Sequence, residues 1–88
     1  MKAIFVGNGW AEYCEIAEVE QKTFKKINKM IESIVRNGHE GISGAEPLKH
    51  NFSGYWSKRI DLKHRLIYRL IDGETIEILK CKGHYEDK

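Results

Sequence analysis

The sequence has little of what marks several classes of protein. Its 88 residues include one proline and two cysteines, and no apolar run approaches the roughly 18 residues that span a bilayer. The opening MKAIFV is too short for the apolar region of a signal peptide and runs into Gly7-Asn8-Gly9. We therefore expect one domain over residues 1–88 that stays in the cytoplasm.

The two cysteines do not predict a metal site or a disulfide framework. Cys14 and Cys81 lie near opposite ends of the chain, and neither has a second Cys or a His at zinc-finger spacing. In a chain without an export signal, reduced thiols that pack as small apolar residues are expected. We predict no metal and no cofactor.

Charge is nearly balanced over the whole chain but concentrated in one segment. The net charge is +2, whereas residues 49–69 hold six Lys and Arg and a single acid, Asp61. That segment therefore carries +5 and the rest of the chain −3. Such asymmetry is typical of a face that binds a polyanion. It is equally typical of a sheet edge that Lys and Arg protect from aggregation, so charge alone leaves both interpretations open.

Hydrophobic periodicity predicts a short first strand and then two helices. Residues 2–6 predict a strand, since the segment is apolar after Lys2 and contains the β-branched Ile4 and Val6. Apolar side chains at helical spacing form one stripe from Trp10 to Ala17 and a second from Phe24 to Val35. Asn37-Gly38 is a plausible end for the second helix.

The second half of the chain predicts a loop and three strands. The loop over residues 39–47 contains two glycines and the only proline. Alternating segments predict strands at 55–60, 65–71 and 75–81, with Asp72-Gly73 as a hairpin turn. The predicted order is β-α-α-β-β-β, an α+β fold with a helical hairpin on a mainly antiparallel sheet.

The same alternation predicts which side chains share a face of the sheet. Leu66 and Tyr68 should pack on the helices, and Trp56 should also lie in the core. Arg59 and Arg65 then lie together on the opposite face, held by strands rather than by loops.

Four residues could supply the chemistry of RNA cleavage. Attack by the 2′-hydroxyl needs a base, a cation that stabilises the phosphorane, and an acid for the departing 5′ oxygen. Glu46, Arg65 and His84 could take these roles, with Tyr85 as a stacking surface. Each also has an ordinary explanation, since a loop Glu is usually solvated and a terminal His-Tyr is usually a frayed end. The other histidines, His39, His50 and His64, are expected at the surface, and His50 and His64 lie in the basic segment, where they could contact phosphate.

One long motif resembles a known family. Residues 46–60 read EPLKHNFSGYWSKRI, residues 64–68 read HRLIY, and His84-Tyr85 follow near the end. With Trp10 and the segment KIN at residues 26–28, these resemble the YoeB toxins. That family belongs to the RelE-type ribosome-dependent mRNA interferases of bacterial toxin–antitoxin pairs. The resemblance covers nearly the whole chain and implies a microbial-ribonuclease-like fold.

The resemblance implies a role for each candidate residue. Glu46 matches the general base, Arg65 the phosphate-stabilising arginine, His84 the general acid and Tyr85 the aromatic residue that helps to hold mRNA. Lys49 and Arg59 match basic positions that contact the RNA backbone. The implied activity is metal-independent cleavage of mRNA in the ribosomal A site, which inhibits translation.

The resemblance also implies partners. These are the mRNA, the ribosome with its rRNA, and a YefM-type antitoxin whose acidic, disordered C-terminal segment covers the basic face. A homodimer or a toxin–antitoxin hetero-oligomer is implied as well. The chain departs from the family in two places. Gly83 precedes the histidine, and three residues follow the tyrosine, where members commonly end: Glu86, Asp87 and Lys88.

Two other functions remain open. An RNA-binding translation inhibitor that does not cut would need the basic segment but not Glu46 or His84. A plain interaction domain could bind an acidic peptide with its basic strands, but it would leave the long motif unexplained.

Overall fold

The computed structural model describes residues 2–38 and 44–83, and it has the predicted order with one additional strand. The elements are β1 (Lys2–Phe5), α1 (Gly9–Val19), α2 (Gln21–Asn37), β2 (Glu46–Pro47), β3 (Trp56–Arg59), β4 (Arg65–Ile71) and β5 (Thr75–Lys80). The strands form one sheet in the order β1-β5-β4-β3-β2. Strand β1 is parallel to β5, and the other neighbours are antiparallel. The predicted fold class is confirmed.

Helix α2 has the apolar stripe that the sequence predicts. Ile27, Met30 and Ile34 are buried in the core cluster. The helix ends at Asn37, where Gly38 takes a φ of +66° and donates its N–H to the carbonyl of Ile34. Glycine reaches this left-handed conformation without a Cβ clash, which explains the stop.

Helix α1 follows only part of the predicted stripe: Tyr13 packs against the core cluster, but the most buried position is Ile16. Ile16 is fully buried, but Trp10 is 58% exposed, so the predicted stripe is wrong at Trp10. The helix begins at Gly9, which packs directly against β5. A Cβ at this position would lie 2.6 Å from the carbonyl oxygen of Ile78. Because residues 9 and 16 share one helix face, this close approach turns Trp10 outward. Within residues 2–38 and 44–83, no helix is long and apolar enough to cross a membrane.

The core lies between the helices and one face of the sheet. Leu66 and Tyr68 of β4 are fully buried there, and Trp56 packs against the cluster, as predicted. Burial raises the pKa of the Tyr68 phenol to about 12. The β4–β5 turn is also the predicted one, since Asp72 and Gly73 both have positive φ, at 60° and 72°. Paired left-handed residues are what short hairpin turns require.

The additional strand, β2, is the point where the predicted loop over residues 39–47 is wrong. Residues 39–43 lie outside the described residues, but Glu46 and Pro47 pair with Ser57 and Trp56 of β3. Two residues are too short to leave a periodic signal in the sequence. Proline is also tolerated here, because β2 is at the edge of the sheet and has no second neighbouring strand to which a backbone N–H would have to donate.

Candidate active site

The strand register brings three of the candidate residues to one face of the sheet. Glu46 lies opposite Ser57, and Arg59 lies opposite Arg65. Directly opposed residues of antiparallel strands point to the same side, and Ser57 and Arg59 are two residues apart in β3. Glu46 is therefore a diagonal neighbour of Arg59, at about 7–8 Å between Cα atoms. We call this face, opposite the helices, the arginine face.

The two opposed arginines form an unusual pair. Arg59 is exposed and Arg65 half-buried. Like charges directly opposite each other across two strands are destabilising. Neither guanidinium has an ion-pair partner among residues 2–38 and 44–83. An anion bound between them would relieve this repulsion, and a phosphate matches the fork of donors that a guanidinium offers.

The other end of the arginine face carries a closed cluster of three side chains. Arg69 donates from Nε and Nη2 to the two carboxylate oxygens of Glu77, at 3.1 and 3.2 Å. The Tyr55 hydroxyl donates to the same carboxylate, and the Arg69 guanidinium lies 4.9 Å from the centroid of the Tyr55 ring. The hydrogen bonds from Tyr55 and Arg69 lower the pKa of Glu77 below its ordinary value, against the effect of burial. Sequence patterning missed this cluster, although an acid between buried isoleucines in β5 was a signal for it.

The remaining candidates lie beside the face or outside the described residues. Lys49 follows β2 and is exposed. His84 and Tyr85 lie outside the described residues, as does the segment 86–88. Their neighbour Gly83 is described.

The path of the chain after β5 leads toward Arg65. Lys80 lies opposite Ile67, so the following residues run beside the beginning of β4. The backbone N–H of Gly83 donates to Nδ1 of His64 at 2.9 Å. His64 immediately precedes Arg65, so the structure brings the chain one residue before His84 beside the beginning of the strand that carries Arg65.

Glu12 of helix α1 holds the two preceding residues. Its Oε1 accepts the N–H groups of Cys81 at 2.9 Å and of Lys82 at 3.1 Å, and its Oε2 pairs with Nζ of Lys80 at 3.2 Å. Three successive N–H groups beyond β5 thus donate to side chains from elsewhere in the chain. A lone Glu on a helix carried no sequence signal for this role.

His64 is the candidate whose environment was predicted wrongly. It was expected at the surface, but it is only 4% exposed. Strand alternation places it with Leu66 on the helix side, where Nε2 lies 3.0 Å from Oε2 of Glu20 at the junction of α1 and α2. Its distance in sequence from Glu20 and Gly83 hid this role.

Asp61 completes the surroundings of His64. Burial works against its ionisation, but hydrogen bonds from Thr23 and from the backbone N–H groups of Lys63 and His64 outweigh it, and the pKa of Asp61 is lowered. One oxygen or nitrogen from each of Glu20, Asp61 and His64 lies within 4.8 Å of the others. These groups are hydrogen-bonded to one another or to nearby protein donors, as buried polar groups require.

The cysteines take no part in this site. Both thiols are free, and Cys81 is fully buried. Burial, with a smaller contribution from the charge of Glu12, raises the pKa of the Cys81 thiol to about 12. It is therefore a thiol at neutral pH and not a nucleophile.

Comparison with known proteins finds one family over nearly the whole chain. The model of a family described as YoeB-like toxin of bacterial type II toxin–antitoxin system matches residues 5–85. The toxin YoeB of Streptomyces coelicolor is 41% identical over 85 residues, which are 97% of this chain and 100% of the relative.

Solved structures agree with the sequence comparison. The YoeB–YefM complex from Staphylococcus aureus contains a chain that is 42% identical with a TM-score of 0.84, covering 94% of this chain and 95% of that one. A YoeB dimer from the same organism is 41% identical with a TM-score of 0.83, covering 97% and 98%. Sequence and backbone are thus similar over almost the full length of each chain.

Proposed function

We propose, because the chain belongs to the YoeB-like toxins of bacterial type II toxin–antitoxin systems, that it is an endoribonuclease that cuts mRNA on the ribosome. Cutting the message inhibits translation, which is the toxic effect. Such a target would place its action in the cytoplasm.

The opposed arginines support this function most directly. Arg59 and Arg65 lie side by side without an acidic partner in the described part of the chain, and Glu46 is on the same face. A scissile phosphate between the two guanidinium groups would receive charge-assisted hydrogen bonds that strengthen as the phosphorane gains charge. Glu46 would stand beside that phosphate as the proton acceptor.

The proposed reaction is attack of the ribose 2′-oxygen on its own phosphate. Glu46 takes the 2′ proton, the new O–P bond forms, and Arg65 with Arg59 stabilises the charged phosphorane. The bond to the 5′ oxygen then breaks, and His84 as imidazolium gives that oxygen its proton. The products are a 2′,3′-cyclic phosphate and a 5′-hydroxyl. Side chains handle every proton and charge, so these steps call for no metal ion.

The ribosome would supply the geometry that a chain of 88 residues cannot impose alone. Correct positioning can contribute about 7–11 kcal/mol to lowering a barrier. We propose that the A site aligns the 2′-hydroxyl with the phosphate, while Lys49 contacts the RNA backbone and Tyr85 stacks on a base.

The solved relatives suggest the protein partners. The Staphylococcus aureus proteins are seen as a YoeB–YefM complex and as a YoeB dimer. We propose that this chain likewise binds a YefM-type antitoxin, whose acidic segment folds onto the arginine face, and that it can form a homodimer.

Mapping of mRNA ends after brief induction in cells tests the enzyme. We expect discrete cuts in translated messages that disappear in Glu46→Ala and in His84→Gln. Glu74→Gln is the matched control, since Glu74 is an exposed acid in the β4–β5 turn, at the far end of the sheet. Growth arrest with intact mRNA, unchanged in both variants, would instead indicate a toxin that occludes the ribosome without cutting.

A further inference from the structure

We propose that His64 is a positioning residue of the cleavage site: its ring holds the backbone at Gly83, the residue that precedes the proposed acid His84 in the sequence. The inference rests on the proposed function only in the role given to His84. The contact itself can be tested without activity.

The geometry makes His64 the link between two parts of the site that are far apart in sequence. It is adjacent to Arg65 at the start of β4, and its Nδ1 accepts the N–H of Gly83 at 2.9 Å. Gly83 is the residue before His84, and the side chain of His64 is buried. The imidazole ring of His64 thus connects the beginning of β4, which carries Arg65, to Gly83, which precedes the proposed acid in the sequence.

The contacts of the ring define its tautomer. A backbone N–H can only donate, so Nδ1 must be the unprotonated acceptor, and the ring proton is then on Nε2. Nε2–H points to Oε2 of Glu20 at 3.0 Å, where a carboxylate can accept it. A carboxylate partner of this kind fixes the orientation of an imidazole. The second ring nitrogen is therefore directed at Gly83.

Two carboxylates lie beside the ring. Glu20 comes from the junction of α1 and α2 and Asp61 from the turn before β4, and one oxygen of each lies within 4.8 Å of a ring nitrogen. Lys82, in the segment after β5, forms an ion pair with Glu15 of α1. The position of Gly83 is thus determined by packed elements on both sides of the chain.

This anchor is the last described one before His84. Glu12 holds the N–H groups of Cys81 and Lys82, and His64 holds that of Gly83. Gly83 has a φ of +75°, which is easily accessible only to glycine and redirects the chain at this point. Because a displacement of about 1 Å at a catalytic group can cost about 100-fold in rate, the contact at Gly83 can control the step that His84 performs.

Two substitutions of His64 separate its two hydrogen bonds. Asparagine can place its amide oxygen near the position of Nδ1 and still accept from Gly83, but it cannot reach Glu20. Glutamine can place its amide group near Nε2 and reach Glu20, but it leaves Gly83 without an acceptor. Each variant removes one hydrogen bond of the ring, so the two should lower Tm by similar amounts.

The experiment measures three quantities on full-length wild type, His64→Asn and His64→Gln: Tm, the exchange rate of the Gly83 amide proton by NMR, and single-turnover cleavage of ribosome-bound mRNA. We expect His64→Gln to exchange faster at Gly83 and to cut about 10- to 100-fold more slowly. His64→Asn should keep the protection at Gly83 and recover most of the cleavage rate.

Several results would overturn the inference. Equal loss of cleavage in both variants, in proportion to Tm, would show that His64 only stabilises the fold. Unchanged exchange at Gly83 in His64→Gln would show that the contact does not hold the segment. A stoichiometric shift of the His64 ring signals on addition of Zn²⁺ would mean that His64, Glu20 and Asp61 bind a metal instead. If wild type leaves mRNA intact, the proposed function and the positioning role of His64 in cleavage both fail, while exchange at Gly83 still decides whether His64 anchors the segment.

Discussion

The two ends of the arginine face use the same residue type in opposite ways. At one end, Arg69 is tied to a buried carboxylate by two hydrogen bonds and lies over the ring of Tyr55. At the other end, Arg59 and Arg65 face each other with no acidic partner among residues 2–38 and 44–83. At the first end the charges of Arg69 and Glu77 cancel, whereas at the second end no acid in that part of the chain pairs with either guanidinium.

Under the proposed function, this difference predicts where on the face an RNA phosphate binds. Arg69 would have to break its pair with Glu77 before it could bind a phosphate, whereas Arg65 has no such pair within residues 2–38 and 44–83. We therefore expect the pair at one end to stabilise the fold and the two arginines at the other end to be available to a ligand. Net charge along the sequence cannot make this distinction, because all three arginines count as +1.

Replacing Arg65 should have the largest effect. We expect Arg65→Ala to lower single-turnover cleavage of ribosome-bound mRNA by about 100- to 1,000-fold, as the loss of one preorganised donor does in other enzymes. Arg69→Ala is the matched control from the same face. Its rate, corrected for the folded fraction, should stay within about threefold of wild type, a difference of less than ~1 kcal/mol. Equal losses of cleavage rate in the two variants would contradict the claim that Arg65, but not Arg69, is available to the phosphate.

Replacing Glu77 should affect stability rather than cleavage. Glu77→Ala leaves the Tyr55 hydroxyl and Arg69 without their acceptor, which should cost about 1–3 kcal/mol in the free energy of unfolding. Urea denaturation followed by circular dichroism measures this value. Arg59→Ala is the comparison from the other end, and it should change stability by less than about 0.5 kcal/mol. A larger loss in Arg59→Ala than in Glu77→Ala would show that the paired end does not carry the stability.

Lowering the pH should reduce the stability that the Glu77 carboxylate contributes, by less than the Glu77→Ala substitution does. Tyr55 and Arg69 lower the pKa of Glu77 in the folded protein below its ordinary value of 4.5. The stabilisation by its charge is therefore complete above the unfolded pKa and is lost as the pH falls through the folded pKa. In urea denaturation between about pH 6 and about pH 3, the stability difference between wild type and Glu77→Gln should narrow as pH falls. A difference that stays constant over this range would refute the linkage, and Glu74→Gln, from an exposed acid, serves as control.

Prediction from the sequence was most successful where a pattern is local. Alternation in β4 predicted the burial of Leu66 and Tyr68, and Asp72-Gly73 predicted the hairpin. It also predicted that Arg59 and Arg65 share a face, which the register confirms. It failed at Trp10, because the close approach of Gly9 to β5 decides which face of α1 is buried.

The candidate site was predicted only in part, because its motif is local but several of its contacts join residues that are distant in sequence. The family motif singled out Glu46 and Arg65, and the structure brings them to one face; their catalytic roles remain predictions, as do those of His84 and Tyr85. The buried position of His64 was not predicted. Its partners Glu20 and Gly83 are distant in sequence, and the folded structure brings all three residues together. From the sequence alone, a histidine among charged residues is expected at the surface.

The sequence by itself determined four of the five strands, the two helices, the family and the concentration of positive charge, because periodicity, turn residues and motifs act over short stretches of chain. Only the tertiary structure decided which of those charges are neutralised. Arg69 meets Glu77 through the pairing of β4 with β5, and Arg65 meets Arg59 through the pairing of β4 with β3. Electrostatic energy depends on distance in space rather than on separation along the chain.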